Sequence, residues 1–384
     1  MQLEKIQYDH TTEKRLDGVQ YLRGISALLV VISHCNGIIA KPEFYAAFVV
    51  PDLHPASVFA VAVFFAISGF IIVVSSLDAT AQAGWQPRMN AGEFARRRAI
   101  RILPFLWLCT LGYNLLSWAG TGTAEPDAML RTLAVWPVGE LKPNVVWSLR
   151  HELLFYGLFA ATMMGARRKA WLLWLWVGAS GLFYLLAYDL RPAMALAGGA
   201  WFEWLKVAMG GDHGANLQFA AGMVLGLWYL RRRAHGGMML RLPPALMLAL
   251  IALGGWTVQT VIPFRTGVGP ALAWTALAAA TLAAAVLARP AGGMAGRIGR
   301  VLGDASFAIY LVHNPVMLAL LALAKRTALP LGTYPALVAF LVASIVMTTL
   351  GGIAAHYWVE APLIRWCNRR LRPARPTAPA RQGG

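Results

Sequence analysis

Two ionisable side chains interrupt the first apolar stretch of the chain, and both have the chemistry of a functional site. Arg23 and His34 stand eleven residues apart in Arg-Gly-Ile-Ser-Ala-Leu-Leu-Val-Val-Ile-Ser-His. On an α-helix this separation is about three turns and about 16 Å, so Arg23, Ala27, Val30 and His34 share one face. A histidine inside a membrane is usually functional, and imidazole can act as a general base. Two plainer interpretations stay open: Arg23 as an end anchor, and His34 as the partner of a neighbouring helix.

An arginine cluster is the second chemical feature. Arg96, Arg97, Arg98 and Arg101 lie within six residues, and Asn90 followed by Glu93 is typical of a capped helix start just before them. Guanidinium groups donate forked hydrogen bonds that match phosphate oxygens, so the cluster suits a polyphosphate ligand. The alternative is a topology anchor that touches lipid headgroups.

An acidic residue of a later apolar segment is expected at the depth of His34. Glu152 follows the outer start of a predicted span by about seven residues, or roughly 10 Å, and His34 lies roughly 9 Å below the same surface. A carboxylate bonded to one imidazole nitrogen strengthens the other as a base. We therefore predict that His34 acts as a base and that Glu152 orients it. Alternatively, Glu152 is neutral or pairs with Arg150 or His151.

Three further positions carry weaker signals. Ser68 and Gly69 are small residues within an apolar run, a pattern typical of close helix packing. His313 precedes Pro315 in mid-span, where it bonds either a freed backbone group or a substrate. Cys35 is a possible nucleophile, but a buried cysteine is usually a small apolar residue. The sequence shows no metal-ligand cluster and no glycine-rich phosphate loop.

The composition indicates the class of protein that positions these residues. Of 384 residues, 58% are hydrophobic and 13% charged, and the mean hydropathy is +0.56. Soluble domains have about a quarter charged residues, so the chain is predicted to be a polytopic membrane protein. The formal charge of +17 is spread in short clusters between apolar runs. Such clusters are typical of membrane topology signals, so we expect the lipid bilayer and not nucleic acid as a partner.

The apolar runs predict an all-α bundle of about ten transmembrane helices. The predicted spans are residues 19–40, 56–77, 98–118, 145–165, 170–189, 214–231, 244–263, 268–288, 305–325 and 335–358. A shorter apolar segment, Gly198 to Met209, is predicted to form an interfacial or re-entrant helix.

The distribution of basic residues predicts the orientation. With the N-terminus inside, the cytoplasmic segments hold 24 Lys or Arg residues and the opposite side holds eight. This excess predicts that both termini are cytoplasmic. We expect a cytoplasmic lead at residues 1–17, a transmembrane domain at 18–366, and a basic, Pro-rich, disordered cytoplasmic tail at 367–384.

The motifs together resemble those of the integral-membrane acyltransferase family 3, which includes O-antigen and exopolysaccharide O-acetylases. The matching segments are Arg23 to His34, Phe64-Phe65 to Ser68-Gly69-Phe70, Arg97-Arg98-Ala-Ile-Arg101, Trp147-Ser148-Leu to Glu152 with Phe155-Tyr156, Tyr310-Leu-Val-His313, and Glu360-Ala-Pro362. They run in the family's order from residue 16 to about 366. Arg150-His151 before Glu152 departs from the small or acidic residues common there.

This resemblance implies an O-acetyltransferase type of enzyme in the cytoplasmic membrane of a bacterium. It would move an acyl group, usually acetyl, from cytoplasmic acyl-CoA to a hydroxyl of a lipid-linked or cell-surface glycan, such as lipopolysaccharide or exopolysaccharide. The implied catalytic residues are His34, as the base or as the acyl carrier, and Glu152, which orients it. The implied acyl-CoA ligands are Arg23, Arg97, Arg98 and Arg101, and the implied substrate contacts are Trp147, Ser148, Tyr310 and His313. No metal is predicted.

A transporter or flippase for a lipid-linked or anionic solute is the alternative from another class. It would use the same intramembrane charges as a pathway. Such proteins often consist of two related halves with helices broken by Gly or Pro. The sequence shows no internal repeat, which disfavours this alternative.

Overall fold

A computed structural model describes residues 16–42, 45, 49–80, 84–165, 168–192, 198–236, 240–261 and 266–371. Twelve helices and one hairpin form the described part of the chain. The helices are α1 (Asp17–Ile39), α2 (His54–Ser76), α3 (Ala91–Thr121), α4 (Pro126–Leu133), α5 (Trp147–Met163), α6 (Ala170–Leu190), α7 (Ala200–Ala208), α8 (Ala215–Ala234), α9 (Pro244–Thr260), α10 (Val268–Leu287), α11 (Gly293–Arg326) and α12 (Tyr334–Arg370). Most of the predicted lead and tail, residues 1–15 and 372–384, lie outside the described residues.

The all-helical prediction is confirmed except for one small hairpin. Strands β1 (Leu77–Thr80) and β2 (Gly84–Pro87) pair antiparallel between α2 and α3. Trp85 of β2 contacts two other segments, because the Arg231 guanidinium lies 5.1 Å from its ring centre and Arg168 donates to its carbonyl at 3.2 Å. All three segments were predicted to be cytoplasmic, so their meeting at one end of the bundle agrees with the predicted sidedness.

Each of the ten predicted spans coincides with a helix, but the helices differ in their ability to cross a bilayer. Seven are long and apolar enough: α1, α2, α3, α6, α10, α11 and α12. Helices α5 and α9 have 17 residues each, or about 26 Å, against a hydrocarbon thickness of about 30 Å. Helix α8 carries three arginines in its last turn. The segment predicted to be interfacial forms the short helix α7.

Helix α2 is the most buried of the seven apolar helices and occupies the centre of the bundle. It packs against α8 through a reciprocal glycine contact. A Cβ atom at Gly69 would overlap the carbonyl of Phe219, and one at Gly222 would overlap the carbonyl of Ala66. The prediction that Gly69 permits close packing is therefore confirmed. A similar close contact at glycine joins α1 to α11, where Gly303 lies against the backbone of Gln20.

Large apolar side chains face outward from the bundle. On α3 these include Leu108, Leu111, Leu115 and Trp118, each about half exposed. An exposed apolar surface of this kind marks a membrane or protein contact, and here it continues around helices of spanning length. The chain is therefore a multi-pass membrane protein whose interior positions the polar side chains.

Candidate active site

Helix α3 begins where the sequence predicted and brings the arginine cluster to the bundle. The Asn90 side chain accepts a hydrogen bond from the Glu93 backbone N–H at 2.8 Å, which caps the helix. Arg98 and Arg101 are separated by three residues and so project from neighbouring positions on one face. That face turns toward α1, α2, α5 and α11.

A cavity of about 210 Å³ lies where these five helices meet. Six of the predicted site residues line it: Arg23, Arg98, Arg101, Ser148, Glu152 and Tyr310. The remaining wall includes Ser68, Tyr156, Ser306 and the rings of Phe64, Phe65 and Phe307. The fold therefore joins residues from four separate sequence motifs in one partly polar pocket.

Three guanidinium groups give the cavity its positive charge. Arg98 donates to Ser75 Oγ at 2.8 Å, and its guanidinium carbon lies 5.3 Å from the ring centre of Tyr156. Arg101 forms an ion pair with Glu360, which is entirely buried. Arg23 has a long contact of 3.4 Å with Gln20. Most donor groups of Arg23 and Arg98 thus have no protein acceptor among the described residues.

Arg97, which was predicted to bind acyl-CoA together with Arg98 and Arg101, lies outside the cavity that those two arginines line. Its side chain is 54% exposed and donates to Glu93 at 2.6 Å, four residues earlier on the same helix. This i, i+4 pair draws Arg97 along the helix surface toward the N-terminus of α3. Arg96 binds Glu93 in the same way at 2.8 Å. The cluster therefore divides into two arginines that pair with Glu93 and two that line the cavity.

Glu152 has different partners from those predicted. Its Oε1 atom accepts hydrogen bonds from Ser68 Oγ at 2.8 Å and from Tyr156 OH at 2.5 Å. No described hydrogen bond joins it to His34, because Glu152 faces α2 whereas His34 faces α11. Arg150 instead donates to the Gly139 carbonyl. No described residue donates to Oε2 of Glu152, so this oxygen is available to a substrate.

His34 pairs with a second histidine. Its Nδ1 atom lies 2.7 Å from Nε2 of His313, and the ring centres are 4.9 Å apart. His313 is fully buried, and its Nδ1 lies 2.6 Å from the Tyr310 carbonyl. Of the two predicted interpretations of His313, the backbone bond is the one present. The acceptor is Tyr310, however, and not the Leu311 carbonyl that Pro315 leaves without its N–H partner.

Tyr310 connects the cavity with the histidine pair. Its hydroxyl donates to the Val145 carbonyl at 2.8 Å and lies 2.9 Å from Ser148 Oγ. Its ring lines the cavity, and its ring centre is 6.0 Å from that of His313. Trp147, predicted to bind substrate, instead packs edge-on against Phe65, with 6.3 Å between ring centres, and does not line the cavity.

Sequence reasoning gave no separate role to several residues of this network. Tyr156 lies four residues after Glu152, and His356 lies four residues before Glu360, where its Nδ1 is 2.7 Å from the carboxylate. Polar pairs at this spacing meet on one helix face, and this signal was present in the sequence. Ser75 offered no signal. In the described part of the chain, no three His, Cys, Asp or Glu side chains are placed to hold a metal ion.

Known proteins are similar to most of this chain. A family profile described as an acyltransferase domain matches residues 16–356. The exopolysaccharide production protein ExoZ of Rhizobium meliloti (strain 1021) is 32% identical over 321 residues, which are 79% of this chain and 88% of that protein. No solved structure matches. The profile covers every cavity residue named above.

Proposed function

Since the chain belongs to the integral-membrane acyltransferase family 3, as its motifs predicted, we propose that it is an O-acetyltransferase that uses cytoplasmic acetyl-CoA to modify a glycan. One observation carries the proposal: three guanidinium groups and a set of hydroxyl and carboxylate groups line the same cavity. Guanidinium groups suit anionic phosphates, and hydroxyl and carboxylate groups suit a reacting hydroxyl.

The arginines are proposed to hold the donor. Arg23, Arg98 and Arg101 present forked donors, which suit the phosphate oxygens of CoA better than a lysine ammonium does. Arg98 and Arg101 lie in the first third of α3, near the end predicted to be cytoplasmic. The pantetheine arm of acyl-CoA has a length comparable to the offset of about 16 Å between Arg23 and His34. The thioester would therefore extend from the arginines toward the histidine pair.

The acceptor is proposed to be a hydroxyl group of an exopolysaccharide or of its lipid-linked precursor. This proposal rests on the relative from Rhizobium meliloti, which is an exopolysaccharide production protein. Glu152 Oε2 would accept a hydrogen bond from an N–H or O–H group of a bound substrate. Ser148 and Tyr310, whose hydroxyls lie 2.9 Å apart, would contact the substrate where the cavity approaches the histidines.

His34 is proposed as the general base. Its Nε2 takes the proton of the acceptor hydroxyl while the hydroxyl oxygen attacks the thioester carbonyl carbon. The carbon–sulfur bond then breaks, the acyl group stays on the acceptor oxygen, and the CoA sulfur leaves with the proton from His34. Atoms and charge balance without a further reactant.

Purified protein in detergent, incubated with [¹⁴C]acetyl-CoA and exopolysaccharide repeat units, tests the proposal. We expect labelled ester in the glycan, and loss of the label after mild alkaline hydrolysis. Arg98→Ala should reduce transfer, whereas Arg97→Ala serves as the matched control because Arg97 lies outside the cavity. Binding of acetyl-CoA without turnover on any glycan would contradict the acceptor class. Transport of a lipid-linked solute without acyl transfer would contradict the enzyme proposal itself.

A further inference from the structure

The contact between His34 and His313 determines which nitrogen of each ring carries a proton. His313 Nδ1 lies 2.6 Å from the Tyr310 carbonyl oxygen, which has no hydrogen to donate. His313 Nδ1 must therefore be protonated, and Nε2 of the neutral ring is then an acceptor. Since His34 Nδ1 lies 2.7 Å from that acceptor, it must be the donor. The remaining nitrogen of His34, Nε2, is left with a free lone pair.

We propose that His313 is a positioning residue that holds His34 in the tautomer with an unprotonated Nε2, the form required of a general base. This inference rests on the proposed function, and it gives His313 the role predicted for Glu152. In hydrolases with a catalytic histidine, a third group orients the ring in the same way, usually a carboxylate. Here the orienting group is a neutral imidazole that is itself fixed by a backbone carbonyl.

The burial of the two rings supports a positioning role over substrate contact. His313 has no exposed surface, and both of its nitrogens have protein partners. In this arrangement neither nitrogen of His313 is left for a substrate, so we assign it positioning in place of the predicted substrate contact. His34 is partly exposed, and no described residue bonds its Nε2. The only nitrogen of the pair without a described partner thus belongs to the ring that is partly exposed. Neither histidine is among the cavity-lining residues, but Tyr310, which lines the cavity, contacts His313 through its carbonyl.

The pair also accommodates the charge that forms during the reaction. When His34 Nε2 takes a proton, the resulting imidazolium donates more strongly through Nδ1 to His313 Nε2. The His313 ring in turn donates to the Tyr310 carbonyl, whose dipole favours positive charge. No carboxylate contacts the pair among the described residues, so this hydrogen-bond chain is the means by which the protein stabilises the cation.

Two amide substitutions separate the two hydrogen bonds of His313. In His313→Gln, the side-chain amide reaches the position of Nε2 and offers an oxygen to His34 Nδ1, but the bond to Tyr310 is lost. In His313→Asn, the shorter amide reaches the position of Nδ1 and can donate to the Tyr310 carbonyl, but no acceptor faces His34. The two variants carry the same amide group and differ in which of the two hydrogen bonds they retain.

We expect His313→Gln to keep kcat within about 10-fold of the unaltered protein, and His313→Asn to lose about 100-fold or more, with the KM for acetyl-CoA unchanged in both. A role confined to bracing α11 predicts the reverse order, because only Asn retains the bond within the helix. That order, or equal losses, would overturn the inference.

The tautomer can also be measured without turnover. ¹⁵N NMR of histidine-labelled protein, with His34→Gln used to assign the signal, should show His34 protonated at Nδ1 and unprotonated at Nε2. In His313→Asn we expect a mixture of tautomers. A His34 ring protonated at Nε2 in the unaltered protein would overturn the inference even if acyl transfer is observed. The expected spectrum in a protein that transfers no acyl group would contradict only the proposed function.

Discussion

Arg101 of α3 forms an ion pair with Glu360 of α12, although 259 residues separate them in the sequence. Glu360 is entirely buried and also lies 2.7 Å from His356. It ends a widened π-helical turn, His356–Glu360, that precedes Pro362. Proline lacks the N–H that would continue a regular helix, and such widened turns are frequent at functional sites. The turn directs a carboxylate at a cavity arginine and so fixes α3 against α12.

Glu360→Gln should destabilise the protein measurably. The substitution keeps an acceptor oxygen but removes the charge opposite Arg101, and hydrogen bonds to charged groups contribute about 1.5–3 kcal/mol. The matched control is Glu93→Gln, which weakens the more exposed pairs with Arg96 and Arg97 and should cost less than about 1 kcal/mol. Thermal unfolding in detergent, followed by size-exclusion chromatography, measures both. Equal shifts in melting temperature would show that the buried pair adds nothing to stability beyond what the exposed pairs add.

Arg98→Ala and Arg101→Ala should each weaken acetyl-CoA binding by about 1.5–3 kcal/mol, the range for a lost hydrogen bond to a charged group. Arg97→Ala should leave the affinity unchanged, because its guanidinium binds Glu93 on the surface of α3. Calorimetric titration with a non-hydrolysable acetyl-CoA analogue compares the three variants. Equal affinity losses at Arg97 and Arg98 would indicate a general surface-charge effect and not a cavity site.

Much of this site follows from local sequence rules. The helix start at Asn90 and the close approach at Gly69 both depend on spacing within one segment, and the structure has both of them. The apolar runs also predicted ten spans, and the structure has a helix at each of them. These features require no knowledge of how one helix packs on another.

Local sequence rules do not predict the partners of His34 and Glu152. Depth along a helix predicted that His34 and Glu152 lie at a similar level, but it does not give the rotation of each helix in the bundle. That rotation turns His34 toward α11 and Glu152 toward α2. It depends on contacts such as that of Gly303 with Gln20, which join segments far apart in sequence. A pairing between distant helices therefore needs the tertiary structure.

The corrected pairing predicts how two rate losses combine. Glu152 and His313 belong to separate hydrogen-bonded groups, so the losses from Glu152→Gln and His313→Asn should multiply in the double variant. Each single variant is expected to lose about 100-fold in kcat. Single-turnover transfer rates for the three variants provide the measurement. If the double variant transfers no more slowly than the slower single variant, the result would support the original prediction that Glu152 acts through His34.

Gly222→Ala should destabilise the bundle by about 1–3 kcal/mol, the usual cost of overpacking a buried contact. The added methyl group would overlap the carbonyl of Ala66 at the centre of the α2–α8 contact. Gly157→Ala is the matched control, since no atom lies within 4 Å of a Cβ at that helical position. Melting temperatures of the two variants in detergent test this contact. Equal changes in melting temperature would show that α8 does not pack against α2 at Gly222.

The membrane topology between α3 and α6 depends on whether the short helix α5 crosses the bilayer. Truncation fusions to reporters of sidedness should indicate the cytoplasm after Gly84 and after Lys169, and the opposite side after Thr123. The basic clusters around Arg98 and Arg168 favour this arrangement. At 17 residues, α5 spans about 26 Å, so crossing requires local thinning of the bilayer or shielding of its ends by neighbouring helices.

An outside signal after Lys169 would mean that α5 does not cross. Arg168, which donates to Trp85, would then lie on the opposite side from the hairpin, in conflict with that contact. The fusion after Lys169 therefore tests the predicted topology and this end of the structure together.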